Sequence, residues 1–163
     1  MKIGVAVICL AAAVLAGCKP AVPEPPRGTA LSGPAEVIDG DTIVIHGTHV
    51  RFYGIDAFEH DQTCGAFACG VQATDAMRQL TEGQVITCYR QDTDHYGRTV
   101  AICRRPDGLD LNGEMVRRGL AVAYRTYSLK YLPVEKAARA AHAGAWGFGF
   151  QSPMDFRHSQ PRR

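Results

Sequence analysis

The sequence has little net charge and no hydrophobic run long enough to cross a membrane. Its 18 Lys and Arg residues nearly balance its 16 Asp and Glu residues, which leaves a formal net charge of +2. Any affinity for a polyanion must therefore come from local clusters of basic side chains. The longest apolar stretch, Ile3 to Leu15, is shorter than the roughly 20 residues of a transmembrane helix. The length of 163 residues and the apolar share of 46% fit one globular domain.

The apolar stretch has the features of an export signal. Lys2 precedes it, and small residues lead to Cys18 at its end. This pattern resembles a bacterial lipoprotein signal, which implies a signal peptide over residues 1–17 and acylation of Cys18. The lipid anchor would hold the protein on the inner or outer membrane of the cell envelope, with its domain in the periplasm or outside the cell. An ordinary secretory peptide and a retained anchor helix are the alternatives.

Proline dominates the segment that follows the signal. Four prolines, Pro20, Pro23, Pro25 and Pro26, occur among few large apolar residues, so this segment cannot build a core. We expect residues 18–33 to be a membrane tether, residues 34–150 to fold as one domain, and residues 151–163 to form a C-terminal tail.

Four cysteines remain in the part of the chain that is expected to fold: Cys64, Cys69, Cys88 and Cys103. Export would expose them to an oxidising compartment, which favours two disulfides. Three pairings are possible, and we favour Cys88 with Cys103, on the two arms of one predicted hairpin, and Cys64 with Cys69, in one loop. A zinc site is the competing interpretation, but the paired two-residue gaps of zinc knuckles are missing.

Hydrophobic periodicity and turn residues predict a mainly β fold of the α+β class. β-Branched residues and turns predict five short strands, and apolar residues at helical spacing predict three helices. This order of elements suits a five-stranded, partly open OB-fold barrel with three helices, with a generic α+β sheet as the alternative. The strands are predicted over residues 36–38, 42–46, 49–55, 85–91 and 98–104, and the helices over 73–83, 111–118 and 133–141.

Acidic residues occur at the ends of two predicted strands. Asp39 and Asp41 flank a glycine in a turn, and Asp56 and Glu59 follow the third strand. A barrel that brings these strand ends together would gather carboxylates into one pocket, and such hard oxygen ligands suit Ca2+. Taken alone, the Asp-Gly-Asp-Thr tetrapeptide is an ordinary hairpin turn.

Two arginines complete the pattern. The guanidinium groups of Arg51 and Arg98 can each bind phosphate oxygens through two hydrogen bonds, although either alone could be a solvated surface charge. It is the ordered set that is specific, and in this order and spacing the chain from about Ala35 to Trp146 resembles the staphylococcal nuclease (thermonuclease) family. The set comprises Asp-Gly-Asp-Thr at 39–42, Arg51, Asp56, Glu59, Asp-His-Tyr-Gly-Arg at 94–98, Asn112 and Gly-Leu-Ala at 119–121.

The resemblance implies a role for each matching position. Asp41 and Asp56 match Ca2+ carboxylates of the family, and the backbone carbonyl of Ala57 matches a third ligand. Glu59 matches the general base, and Arg51 and Arg98 match the arginines that bind phosphate. The remaining matches are Asp39, a neighbouring acid; Thr42, a residue that supports the pocket; and Tyr96 and Tyr124, which match positions in contact with substrate.

Three positions depart from the family pattern. Phe58 stands where family members usually have proline, His95 replaces a lysine, and Tyr127 lies one residue away from the second late tyrosine of the family. Losing the fixed φ angle of proline at position 58 could loosen the loop that aims Glu59.

The function implied by the resemblance is that of an exported, Ca2+-dependent nuclease that hydrolyses DNA and RNA with little sequence specificity. Glu59 would take a proton from the attacking water. The alternative is a non-catalytic envelope module with the same fold that binds oligonucleotide or glycan, followed by a structural lipoprotein. Nothing in the sequence indicates a protein partner, and we expect a monomer.

Overall fold

The computed structural model describes residues 28–160 of the chain. The predicted signal peptide, the predicted lipidation site Cys18 and the tether up to residue 27 lie outside the described residues, as do residues 161–163.

Six strands form a mixed sheet in the order β1-β6-β7-β4-β3-β2, and β5 pairs with β8 in a separate two-stranded sheet. All pairings are antiparallel except that of β4 with β7, which is parallel and aligns Val50 with Thr99. The predicted class, α+β and mainly β in a partly open barrel, is confirmed. The strands are β1 Ala30–Pro34, β2 Glu36–Val37, β3 Thr42–Ile45, β4 Thr48–Phe52, β5 Ile55–Ala57, β6 Val85–Thr93, β7 Thr99–Arg104 and β8 Ala121–Ala123.

Four α-helices accompany the strands within residues 28–160: α1 Cys69–Thr81, α2 Leu111–Arg117, α3 Leu132–Ala140 and α4 Pro153–Ser159. The first three coincide with the predicted helices, whereas α4 lies in the segment predicted to be a tail. A 3-10 turn at Gly144–Gly147 precedes α4. None of the helices in the described part of the chain has the length and hydropathy needed to cross a bilayer.

The main core lies between the large sheet and helix α1. Alternate residues of β3, Ile43 and Ile45, are fully buried, as the period of two along a strand predicts. Ala73, Met77 and Leu80 of α1 face them at helical spacing. Burying one such aliphatic side chain stabilises the fold by about 1.5–3 kcal/mol, so this core holds β3 and β4 in place.

Strand β1 extends the fold into the segment predicted to be a tether. It pairs with β6 from Ala30 opposite Tyr89 to Pro34 opposite Val85. Because β1 lies at the edge of the sheet, Pro34 is tolerated there: an edge strand has one row of backbone groups that needs no ladder partner. The sheet therefore begins at Ala30, before the predicted boundary at residue 34.

Both predicted disulfides are present. Cys88 on β6 bonds to Cys103 on β7, where the two residues are directly paired in the sheet. Cys64 bonds to Cys69 and joins the loop after β5 to the first residue of α1. This second disulfide forms a small core of its own with Phe58 and Ala145.

Candidate active site

Two buried carboxylates and one arginine form the centre of the site. Asp41 and Asp56 are 2% and 1% exposed. The Arg51 guanidinium donates one hydrogen bond to Asp41 and another, of 2.8 Å, to Oδ1 of Asp56. In the β3–β4 hairpin Arg51 is paired with Thr42, next to Asp41. The hairpin register thus places this arginine beside the first acid, and β5 supplies the second.

The turn before β3 presents Asp41 in a fixed orientation. Oδ1 of Asp39 accepts a hydrogen bond of 2.9 Å from the backbone N–H of Asp41. The Thr42 hydroxyl donates to Oδ1 of Asp41, and the backbone N–H of Ala57 donates to Oδ2 at 2.7 Å. Asp39 and Thr42 both contact Asp41, and their supporting roles in the site stay predictions.

Glycine at position 40 allows this turn to lie against the rest of the site. A Cβ added to Gly40 would lie 2.8 Å from the Cβ atoms of both Ala57 and Ala73, closer than non-bonded carbons can approach. The Asp-Gly-Asp spacing is therefore a packing requirement as well as a turn signal.

The buried acids and the arginine shift one another's ionisation. Burial, together with the nearby Asp39 and Asp56, raises the pKa of Asp41 to about 7, against the opposing effect of Arg51. Burial alone would lower the pKa of Arg51, but Asp41 and Asp56 outweigh it and raise that pKa. Burial and the neighbouring acids thus disfavour the charged form of Asp41 by more than Arg51 favours it.

Glu59 lies at the edge of this centre, on the loop after β5. Its side chain is 36% exposed, and Oε1 accepts a hydrogen bond of 2.7 Å from Arg157. The backbone N–H of Glu59 donates to Oε1 of the buried Gln62 at 3.2 Å. A Cβ added to Gly70 would lie 1.7 Å from the Glu59 carbonyl oxygen, so α1 packs directly against this loop.

Packing anchors Phe58, the residue that replaces the usual proline of the family. Phe58 is 2% exposed and belongs to the core around the Cys64–Cys69 disulfide. Its ring meets Phe150 edge to face, with 5.0 Å between centroids. An aromatic contact of this kind stabilises the loop beyond the burial of the ring area, so the loop before Glu59 is held without proline.

A cavity of about 610 Å³ opens in front of these residues. Six predicted site residues line it, as do Tyr127 and Arg157; the six are Asp39, Arg51, Glu59, Tyr96, Arg98 and Tyr124. Asp41 and Asp56 lie behind Arg51. The rings of Tyr124 and Tyr127 are 5.0 Å apart. Tyr96 is 75% exposed at the rim, and the guanidinium of Arg98 lies 5.5 Å from the centre of its ring.

The turn that carries Arg98 also holds its side chain. Nε of Arg98 donates to Oδ2 of Asp94 at 2.7 Å. Burial would raise the pKa of Asp94, but the hydrogen bonds from Arg98 outweigh that effect and lower it. Because Asp94 binds Nε, the two terminal nitrogens of Arg98 can still be offered to a phosphate.

The sequence patterns did not indicate Arg157, Gln62 or Gly70 as site residues. Arg157 lies on α4, where it binds Asp56 and Glu59. Ser152 followed by Pro153 is a sequence signal for a helix start. In the structure the Ser152 hydroxyl accepts a hydrogen bond from the N–H of Asp155. Nothing in that signal indicates that α4 returns to the site. Gln62 and Gly70 both contact the backbone of Glu59, and no rule of sequence spacing predicts such contacts.

Comparison with known proteins identifies a family whose model matches this chain. The family model described as "Staphylococcal nuclease homologue" matches residues 49–147, a stretch that contains Arg51, Asp56, Glu59 and Arg98. Asp41 lies before the matched residues, and Arg157 lies after them.

Several curated proteins are similar over most of the described chain. Succinoglycan biosynthesis protein ExoI of Rhizobium meliloti is 36% identical over 123 residues, which are 71% of this chain and 64% of that protein, so the match spans less than two thirds of its length. An uncharacterized endonuclease of Escherichia coli O157:H7 is 35% identical over 68% of this chain and 72% of its own length. A micrococcal nuclease of Shigella flexneri is 32% identical over 76% of this chain and 78% of its own length.

Proposed function

Because the chain belongs to the staphylococcal nuclease family, we propose that it hydrolyses phosphodiester bonds of DNA and RNA in a Ca2+-dependent reaction with little sequence specificity. Family membership makes the chain a nuclease and hence a hydrolase that acts on nucleic acid. The metal, the residue roles and the cellular location are our proposals.

The donor set of the site fits a hard divalent cation. Asp41 and Asp56 offer only oxygen atoms, and a cation between them would offset the repulsion that Asp39 and Asp56 exert on the Asp41 carboxylate. Within residues 28–160, no three His, Cys, Asp or Glu side chains converge as a metal centre by themselves. Asp41, Asp56 and the backbone carbonyl of Ala57 would therefore hold Ca2+ together with water or phosphate oxygens. When bound, Ca2+ would polarise the phosphate as a Lewis acid.

The side chains around the cavity have separate proposed roles in phosphate binding, proton transfer and nucleotide contact. Arg51 and Arg98 line the same cavity and would bind the phosphate oxygens, which offsets the negative charge that grows on them during the reaction. Glu59 would accept the proton of a water molecule positioned to attack phosphorus. Tyr96 and Tyr124, at the same cavity, would contact the nucleotide. Contacts of this kind to phosphate and sugar carry little sequence information.

One observation supports this proposal most strongly: Arg51 joins two buried carboxylates at the back of a cavity that also contains Glu59 and Arg98. A module that only binds a polyanion gains nothing from buried carboxylates beside its arginines, since they repel phosphate unless a cation lies between.

A nuclease assay on residues 19–163 with single-stranded DNA tests the proposal. We expect cleavage with Ca2+, loss of cleavage with a chelator, and a fall of about 100-fold or more in kcat for Glu59→Gln, since general-base catalysis contributes about 10²–10⁴-fold. Asp61→Asn, which changes an exposed acid of the same loop, is the matched control and should retain activity. Binding of DNA without hydrolysis across several divalent metals would favour the non-catalytic module instead.

We further propose that the protein is exported and lipid-anchored through Cys18. The apolar stretch before Cys18 and the two disulfides support this proposal, because disulfides persist in oxidising compartments. Mass measurement of the mature N-terminus would test it: a diacylated Cys18 is expected, and a mature chain that retains residues 1–17 without lipid would contradict it.

A further inference from the structure

Helix α4 brings a third arginine into the candidate active site. Nη1 of Arg157 lies 3.0 Å from Oδ1 of Asp56, and Nη2 lies 3.0 Å from Oδ2, so the guanidinium binds both carboxylate oxygens. The same Nη1 donates to Oε1 of Glu59 at 2.7 Å. One side chain thus spans the proposed metal ligand and the proposed general base.

The segment before α4 is tied to the loop that carries Glu59. The backbone carbonyl of Gln151 accepts a hydrogen bond of 2.7 Å from the side chain of Gln62, and Phe150 packs against Phe58. Pro153 is the only residue of α4 that is fully buried among the described residues. The start of α4 is therefore fixed, and Arg157 near its end forms salt bridges with Asp56 and Glu59.

The hydrogen bonds of Asp56 leave little room for another ligand. A carboxylate has about four acceptor positions. Arg51 occupies one on Asp56, and Arg157 occupies two more. A divalent cation bound to Asp56 would need the same oxygens and would repel the guanidinium. With one acceptor position left on Asp56, a cation that binds this carboxylate competes with the Arg157 guanidinium.

We propose that Arg157 occupies the position of the divalent cation, so that helix α4 closes the metal-free site and moves away when the cation binds. This inference rests on the proposed function, in which Asp41 and Asp56 hold that cation. The Arg157 side chain is 37% exposed, so water can replace its hydrogen bonds when it leaves. Arg157 lies beyond residues 49–147, the stretch that matches the family model.

Calorimetric titration with Ca2+ tests the competition. If α4 is docked in about nine-tenths of the metal-free molecules, the apparent affinity is reduced about tenfold, and Arg157→Gln should restore it. Arg157→Lys keeps the charge but not the fork and should give an intermediate affinity. Arg78→Gln, which removes an arginine paired with exposed Asp75, is the control and should match the wild type. An affinity of Arg157→Gln equal to or weaker than the wild type would overturn the proposal.

Trypsin digestion provides a readout of the helix movement. Because trypsin is itself stabilised by Ca2+, cleavage after Arg157 is measured relative to cleavage after exposed Arg125 in the same digest. This ratio should be several-fold higher with Ca2+ than with a chelator in the wild type, and high in both conditions in Asp56→Asn, which weakens the docking. An unchanged or lower ratio with Ca2+ would overturn the movement, even if Arg157→Gln binds Ca2+ more tightly through charge alone.

The two proposals can fail separately. Ca2+ binding and DNA cleavage by the wild type, with no gain of affinity in Arg157→Gln, would leave the proposed function standing and overturn the closure. Absence of Ca2+ binding in the wild type and in Arg157→Gln would overturn the closure as well as the proposed metal. Thermal unfolding of each variant checks that the fold is intact.

Discussion

At the scale of single residues, the position of Glu59 depends on neighbours that do no chemistry. Gln62 holds its backbone N–H, and Gly70 allows α1 to approach its carbonyl oxygen. Phe58, the residue before Glu59, is buried in the core around the Cys64–Cys69 disulfide and so anchors the chain there. Catalytic geometry is sensitive to shifts of about 1 Å, so these contacts matter as much as the identity of the acid.

Gly70→Ala is expected to lower kcat by about 100-fold while the affinity for DNA changes little. The new Cβ would lie 1.7 Å from the Glu59 carbonyl oxygen and would collide with backbone rather than with a flexible side chain. The loop must shift, and a misplacement of about 1 Å costs about 10²-fold. Arg51 and Arg98 lie on other elements, so phosphate binding should persist. Steady-state kinetics with single-stranded DNA gives kcat, and a binding titration gives the affinity for DNA.

Gly149→Ala is the matched control for this substitution, because nothing lies within 4 Å of a Cβ at that position. Its kcat should equal that of the wild type. Full activity of Gly70→Ala would mean that the loop tolerates the collision and that its packing on α1 does not position Glu59.

At the scale of elements, the two disulfides serve different parts of the molecule. Cys88–Cys103 joins neighbouring strands of the large sheet and spans 15 residues. Cys64–Cys69 spans only 5 residues, so it restricts the unfolded chain less. Its place beside Phe58 and at the start of α1 instead makes it a support for the Glu59 loop.

Removing each disulfide by a double Cys→Ser change should separate these roles. Without Cys88–Cys103, the free energy of unfolding should fall by about 3 kcal/mol, the value for a loop of about 15 residues, while kcat at low temperature is kept. Without Cys64–Cys69, the free energy of unfolding should fall by less than it does without Cys88–Cys103, whereas kcat should fall by more. Chemical denaturation and kinetics on the two variants measure both quantities, and equal losses of kcat would contradict the assignment.

The sequence predicted the elements that carry strong periodicity and turn signals. The β-branched residues of 42–46 indicated β3, and the helical spacing of Ala73, Met77 and Leu80 indicated α1. Both elements bury one face in the core. Strand β1 was missed because Leu31 is its one large apolar residue, and its partner β6 lies more than fifty residues away. Short local patterns cannot report such long-range pairing.

The candidate site also contains residues that the sequence pattern indicated and others, such as Arg157, that it did not. Asp41, Arg51, Asp56, Glu59 and Arg98 were readable because their order and spacing are specific as a set, although their chemical roles remain predictions. Arg157 was not readable, because it reaches Asp56 across 101 positions of sequence. Its contact depends on how the chain folds back after Phe150, which no local pattern near α4 indicates.

At the scale of the whole molecule, a net charge of +2 leaves affinity for nucleic acid to local clusters. The cavity at the candidate active site is lined by Arg51, Arg98 and Arg157. A second, more open groove of about 940 Å³ is lined by Arg125, Lys136 and Arg139, among other residues. A nucleic-acid strand confined to the first cavity contacts only the basic side chains there, whereas a strand that also occupies the groove would contact up to three more, from Arg125, Lys136 and Arg139.

The salt dependence of binding distinguishes these two paths. Each arginine–phosphate contact contributes about 0.7 to the slope of log K against log salt for a single strand. Binding through Arg51 and Arg98 alone therefore predicts a slope of about −1.4, and Arg98→Gln should reduce its magnitude by about 0.7. Fluorescence anisotropy of a labelled oligonucleotide, with Glu59→Gln as background to prevent cleavage and Ca2+ held constant, measures the slope. Arg78→Gln should leave it unchanged, and a slope steeper than about −3 would mean that the strand also occupies the basic groove, contrary to recognition at the cavity alone.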